Sequence, residues 1–108
     1  MNGYYLLMIY LDMKYKIIRE LDDNKYIILT PSFKEGVIDK KGNILIPPVY
    51  DYITLNLNQY NCINDIYYYP HNINKVIIQI NNKYGLYDIK LNKEIIKPIY
   101  DNKDDIII

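Results

Sequence analysis

The sequence predicts an all-β protein, in which successive antiparallel β-hairpin repeats form a curved sheet or short solenoid. Three observations lead there. Half of the residues are hydrophobic, there is no Trp, and 14 of the residues are Tyr. Ala is missing as well, and Ile is the dominant aliphatic residue. β-Branched and aromatic side chains lose rotamer freedom in a helix and pack well on a pleated surface, whereas helices are filled with Ala, Leu, Glu and Gln. Two stretches of the chain then repeat the same order of residue types. Gly and Pro fall at matching places in both.

Length and charge set the frame. The 108 residues suffice for one domain, here 1–108, with repeat-like units at 1–23, 24–51 and 52–108 and an insertion at about 56–74. Thirteen Lys+Arg balance thirteen Asp+Glu. A nucleic-acid binder carries a clear basic excess, so no nucleic acid is expected as partner. The apolar run from Tyr4 to Leu11 has no Lys or Arg before it and closes on Asp12. It is too short to span a bilayer and makes a poor signal peptide. It reads as a strand, and a cytoplasmic protein without a membrane partner is expected. One Cys, Cys62, permits no intrachain disulfide. Its neighbours Asn61, Ile63 and Asn64 bring no cation that would activate the thiol.

The repeat begins with the apolar strand Lys25-Tyr26-Ile27-Ile28-Leu29, matched by Lys75-Val76-Ile77-Ile78-Gln79. Then come Gly36-Val37-Ile38-Asp39 and Gly85-Leu86-Tyr87-Asp88. Each Gly sits at the start of a short strand, where a missing Cβ permits a bulge or a close approach by another backbone. Gly42 and Asn92 occupy the following turns. Gly supplies positive φ there, and Asn is the best substitute. The second turn is one residue longer. Pro47-Pro48 and Pro98 have no N–H for a ladder and so end or edge their strands. Tyr50-Asp51 and Tyr100-Asp101 close the units. The Tyr rings are expected over the neighbouring hairpin with the hydroxyl near water, and the recurring Asp residues are expected to stabilise turns. Residues 8–23 are either a worn third copy or a plain amino-terminal hairpin.

These residues resemble the bacterial WG-repeat family, β-repeats named for a Trp-Gly dipeptide. The best match is Lys83-Tyr84-Gly85-Leu86-Tyr87-Asp88 with Pro98 to Asp101 downstream, and Gly36 to Asp39 with Gly42 to Asp51 match as well. The resemblance covers 25–51 and 75–101 closely and 1–23 loosely. Tyr84 and Glu35 stand where the signature Trp would be, and the spacing between copies is longer than the family's. The resemblance implies a β-repeat fold and carries no particular activity with it.

The extra length lies between the copies. Residues 52–58 alternate apolar with polar and read as a strand. Beyond them come Tyr60, then Tyr67-Tyr68-Tyr69-Pro70-His71. Three adjacent Tyr cannot share one face of a strand, and exposed Tyr is common on recognition surfaces. Tyr60, Tyr67, Tyr68, Tyr69 and His71 are the candidate partner-binding residues, against the plainer reading of a loop rich in Asn and Tyr like the rest of the chain.

No catalytic, cofactor or metal site is expected. Ser32, Cys62 and the lone His71 are nearly the whole supply for nucleophilic catalysis, which needs a base oriented by a third group. Zinc needs three or four ligands. Asp101, Asp104 and Asp105 lack the spaced ligands and turn Gly of a calcium loop and read as solvated charge at a strand edge. The final Ile106 to Ile108 either form a last strand, sit in a dimer contact, or mark a chain cut from a longer array. The function expected is a non-enzymatic module that binds an unknown protein or peptide through the Tyr-rich insertion or a sheet edge. A structural, self-associating repeat protein is the alternative.

Overall fold

The computed structural model describes residues 15–56, 59–64, 66–68 and 72–108, and for residues 61–63, 67 and 68 the backbone alone. Its strands are β1 (Lys16–Asp22), β2 (Lys25–Leu29), β3 (Glu35–Asp39), β4 (Ile44–Tyr50), β5 (Tyr52–Thr54), β6 (Asn61–Ile63), β7 (Ile66–Tyr68), β8 (Lys75–Ile80), β9 (Lys83–Asp88) and β10 (Lys93–Tyr100). They form two four-stranded sheets, ordered β1-β2-β3-β4 and β10-β9-β8-β5, and a two-stranded sheet of β6 and β7. Every pairing is antiparallel, and the two larger sheets are open. The all-β hairpin architecture read from composition is the one observed. No helix among the described residues is long and apolar enough to cross a membrane.

The two sheets are copies in register. Lys25 pairs with Asp39, Ile27 with Val37 and Ile28 with Gly36. In the second sheet Lys75 pairs with Asp88, Ile77 with Leu86 and Ile78 with Gly85. β1 lies beside β2 as β5 lies beside β8. Turn chemistry fixes this register. Gly42 and Asn92 have φ of 88° and 58°, the left-handed conformation expected of them. Asp39 accepts hydrogen bonds from the Lys41 and Asn43 amides, and Asp88 accepts one from Leu91. Asn81 and Asn82 turn β8 into β9 with both φ positive, as a two-residue hairpin of right-handed twist requires.

A bulge recurs at the same place in both copies. Glu35 pairs with Tyr50 but Val37 with Ile46, so β4 carries extra residues opposite Gly36. Tyr84 pairs with Tyr100 and Leu86 with Ile96 in the same manner. The bulging strand crosses close over the glycine. A Cβ on Gly36 would stand 2.6 Å from the Ile46 carbonyl oxygen, and one on Gly85 2.4 Å from that of Ile96. Pro47, Pro48 and Pro98 lie within the bulges, on strands at the edge of their sheets.

The sheets stack head to tail. Ile27, Val37, Ile46 and Tyr50 of the first sheet share one core with Val76, Ile78 and Tyr87 of the second. The far face of the second sheet holds Ile77 and Leu86, with Ile96 partly buried, and these are the repeat equivalents of Ile27, Val37 and Ile46. Ile106 covers them. It follows a 3-10 turn at Lys103–Asp105, so the terminal Ile residues form no added strand. Full burial of an aliphatic side chain of this size contributes about 1.5–3 kcal/mol, which makes this shared core the main source of cohesion between the copies.

The chain passes from β4 in the first sheet to β5 in the second through Asp51 alone. The Asp51 amide donates to the Gln79 carbonyl at 2.8 Å. Its carboxylate accepts from the Asn81 amide at 2.9 Å and pairs with Lys34. Just before it, the Tyr50 ring meets Tyr87 edge-on, with centroids 6.2 Å apart, and its hydroxyl donates to Glu94 Oε2 at 2.7 Å. The expectation of a Tyr over the neighbouring hairpin holds for this ring. Its hydroxyl, though, meets a carboxylate rather than water, because the second sheet covers it.

Candidate functional site

Two places stand out on this frame: the insertion, and the seam where β1 and β5 face each other. The insertion occupies a position that the first repeat closes with almost nothing. β1 turns into β2 through Asp23-Asn24, held by the Asn24 amide donating to Asp22. The equivalent strands β5 and β8 are joined by residues 55–74. Within that span β6 and β7 pair with each other, Asn61 with Tyr68, Cys62 with Tyr67 and Ile63 with Ile66. Asn64, with φ of 52°, begins their turn. The insertion is therefore a hairpin with its own small sheet.

Of the candidate residues, Tyr60 leads into this hairpin and is half-buried against the main core. Tyr67 and Tyr68 lie on β7. Tyr69 and His71 lie outside the described residues, as do residues 57 and 58 of the strand expected over 52–58. Among the described residues that strand covers Tyr52–Thr54, and Asn56 and Gln59 bond to each other beyond it. The base of the insertion is anchored. Gln59 Nε2 donates to the Lys75 carbonyl at 2.6 Å, and the Ile73 amide donates to the buried Asp22 carboxylate at 2.8 Å.

Asp22 is the centre of that anchor. Burial alone would raise its pKa. Hydrogen bonds from the Asn24 amide, Lys25 Nζ and the Ile73 amide outweigh burial and hold it below the usual carboxylate value of 3.8. It stays charged, and it ties the first hairpin of one sheet to the end of the insertion of the other.

The seam is closed by Glu35. Its carboxylate accepts from Arg19 Nη2 at 2.7 Å and from the Ile53 amide at 3.0 Å. The same Arg19 nitrogen donates to the Ile53 carbonyl at 2.7 Å, and the guanidinium lies 4.8 Å from the Tyr52 ring centroid. Both backbone polar groups of Ile53 are thus satisfied by side chains from the other sheet. This denies the β5 edge to an incoming strand, a recurrent protection of sheet edges. Beside the clamp lies a cavity of about 230 Å³, lined by Leu21, Ile27, Ile53, Leu55 and Tyr60 among others.

Sequence reasoning missed this clamp. The signal was present: Glu35 sits in β3 where the other copy has Tyr84, and a carboxylate in an aromatic position needs a partner. Among the described residues no group of three or more His, Cys, Asp or Glu is placed to hold a metal ion. The side chain of Cys62 lies outside the described set.

Residues 36–56 match the family model described as WG containing repeat. The match spans β3, β4 and β5, that is, the strand of Gly36, the bulge and the passage into the second sheet. Comparison with curated proteins and with solved structures returned no match.

Proposed function

We propose that this WG-repeat β protein is a non-enzymatic interaction module that holds a protein or peptide partner through the insertion between β5 and β8. One observation carries the proposal. The same connection is a two-residue turn in the first repeat and residues 55–74 in the second. The repeat architecture does not need that length. Long connections with structure of their own are where binding function concentrates. The residues invested there are Tyr60, Tyr67, Tyr68, Tyr69 and His71, a composition suited to recognition because Tyr offers large, stiff contact area. The test compares proteins recovered from cell extract by the wild-type chain and by Tyr67→Ser/Tyr68→Ser, with thermal unfolding as the check on folding. Loss of specific partners at unchanged stability supports the insertion as the surface. Equal recovery removes it.

Self-association is the second reading, favoured by β10. This strand is the edge of its sheet, and Ile95 and Ile99 on it are exposed. Light scattering across a concentration series tests it. A monomer throughout, unchanged when Ile107 and Ile108 are removed, rules it out.

A further inference from the structure

The cavity at the seam is walled by three parts of the molecule. Leu21 and Ile27 come from the first sheet, Ile53 and Leu55 from β5 and the residue just past it, and Tyr60 from the base of the insertion. The four aliphatic walls are buried. Arg19, the exposed Glu20 and the half-buried Thr54 complete the lining toward its mouth. The clamp of Arg19, Glu35 and Ile53 holds the walls from both sheets in place, so the space is preformed, as ligand sites usually are.

Size and charge specify the guest. An apolar cavity of about 150 Å³ takes up benzene, and this one measures about 230 Å³, room for a two-ring system such as indole. An aliphatic side chain would leave part of the space empty and forfeit contacts with the walls. The Arg19 guanidinium already lies 4.8 Å from the Tyr52 ring centroid, and such a group favours a π face over a saturated chain. Of the two charges in the lining, Arg19 is balanced by Glu35 at 2.7 Å. Glu20 adds a negative charge at the mouth, which favours a guest with a cation beside its ring. We propose that this cavity receives a Trp side chain of a partner peptide, with a Lys or Arg next to that Trp facing Glu20. The inference rests on the reading that the insertion holds a peptide partner, and it names the chemistry by which the base of the insertion, at Tyr60, would recognise one.

The test titrates the full chain against acetyl-Trp-Lys-amide, acetyl-Trp-Glu-amide and acetyl-Ala-Lys-amide. The chain has no Trp, so the fluorescence of the probe indole is read without a protein Trp beneath it, and the Ala probe is measured by competition. The Trp-Lys probe should show a blue shift and a rise in anisotropy, and the Ala probe should bind about tenfold or more weakly, as loss of one buried aromatic side chain predicts. Thr54→Phe, which fills the cavity from its own wall, should weaken the Trp-Lys probe to a similar extent while thermal unfolding shows a folded chain. Glu20→Lys, an exposed change, should reverse the preference for Trp-Lys over Trp-Glu, itself about two- to fivefold, the scale of one surface charge pair. No binding of the Trp-Lys probe to the native chain overturns the proposal, and so does equal binding to folded Thr54→Phe. If Thr54→Phe does not fold, Glu20→Lys decides, and an unchanged Lys-over-Glu preference overturns it. Any of these failures removes the cavity as the recognition site and leaves the insertion to its own test, which reads Tyr67 and Tyr68.

Discussion

Tyr50 and Glu94, forty-four positions apart, meet in a 2.7 Å hydrogen bond across the junction of the two sheets. The phenol is buried and sits beside a carboxylate, and both burial and that hydrogen bond raise its pKa above the ordinary value of 10.0. Tyr87 is raised in the same direction by burial and by the Glu94 charge. The folded chain therefore keeps protons that the unfolded chain releases at ordinary tyrosine pH. Stability from these groups is fully present below about pH 10 and falls as the pH rises beyond it. Urea midpoints measured from neutral to strongly alkaline pH should show this decline. Tyr50→Phe should reduce its slope and cost about 1.5–3 kcal/mol at neutral pH, the range for a hydrogen bond to a charged group.

At the acid end the sign reverses. Burial pushes the Asp22 carboxyl up, and its three hydrogen bonds bring it below 3.8. The same balance lowers Asp39, through bonds from Asn43 and Lys41. These carboxylates contribute stability at neutral pH that is lost as the pH falls through their lowered values. Asp22→Ala should cost about 3–5 kcal/mol, since it leaves the buried Ile73 amide and Lys25 without their acceptor. It should also flatten the acid limb of the denaturation profile.

Gly85→Ala should destabilise by about 1–3 kcal/mol or more. The new Cβ would fall 2.4 Å from the Ile96 carbonyl oxygen and 2.8 Å from Pro98 N. Those are backbone atoms, so relief requires the bulge itself to move. A control such as Lys90→Ala, at an exposed turn position, should leave the thermal midpoint within a degree or two, as surface changes do.

Glu35→Trp places at this position the Trp that gives the WG-repeat family its name, and it should weaken the protein. It removes the acceptor for both Arg19 and the Ile53 amide. The cost expected is about 1–3 kcal/mol for the unsatisfied buried amide. Hydrogen exchange at Ile53 should accelerate in the variant, and Glu35→Gln, which keeps an acceptor oxygen, should restore most of the protection.

The repeat was legible because its determinants are local. A positive-φ position at Gly42 or Asn92, a glycine under a bulge and a proline on an edge each mark the chain where they act. The seam was not legible in the same way. Arg19, Glu35 and Ile53 come from β1, β3 and β5, and their meeting depends on how one sheet lies on the next, which no period in the sequence encodes. The hydroxyl of Tyr50 shows the limit most clearly. Its residue type and spacing predicted the ring's place but not the carboxylate above it. Glu94 reaches it only because the second copy has a charged residue where the first has Ile44. In the insertion the sequence pointed to Tyr60, which packs half inside the core, and it gave no sign that Cys62 and Tyr67 would pair as neighbours in a hairpin.

The crossing at Asp51 makes the molecule divisible. A backbone cut beside that residue leaves each half with every strand of its own sheet. What must then hold the halves together is the buried aliphatic interface, the Tyr50 latch and the anchors at Asp22 and Glu35. Such a chain is a natural candidate for reassembly from two separately expressed fragments, with recombination strength reporting directly on the seam.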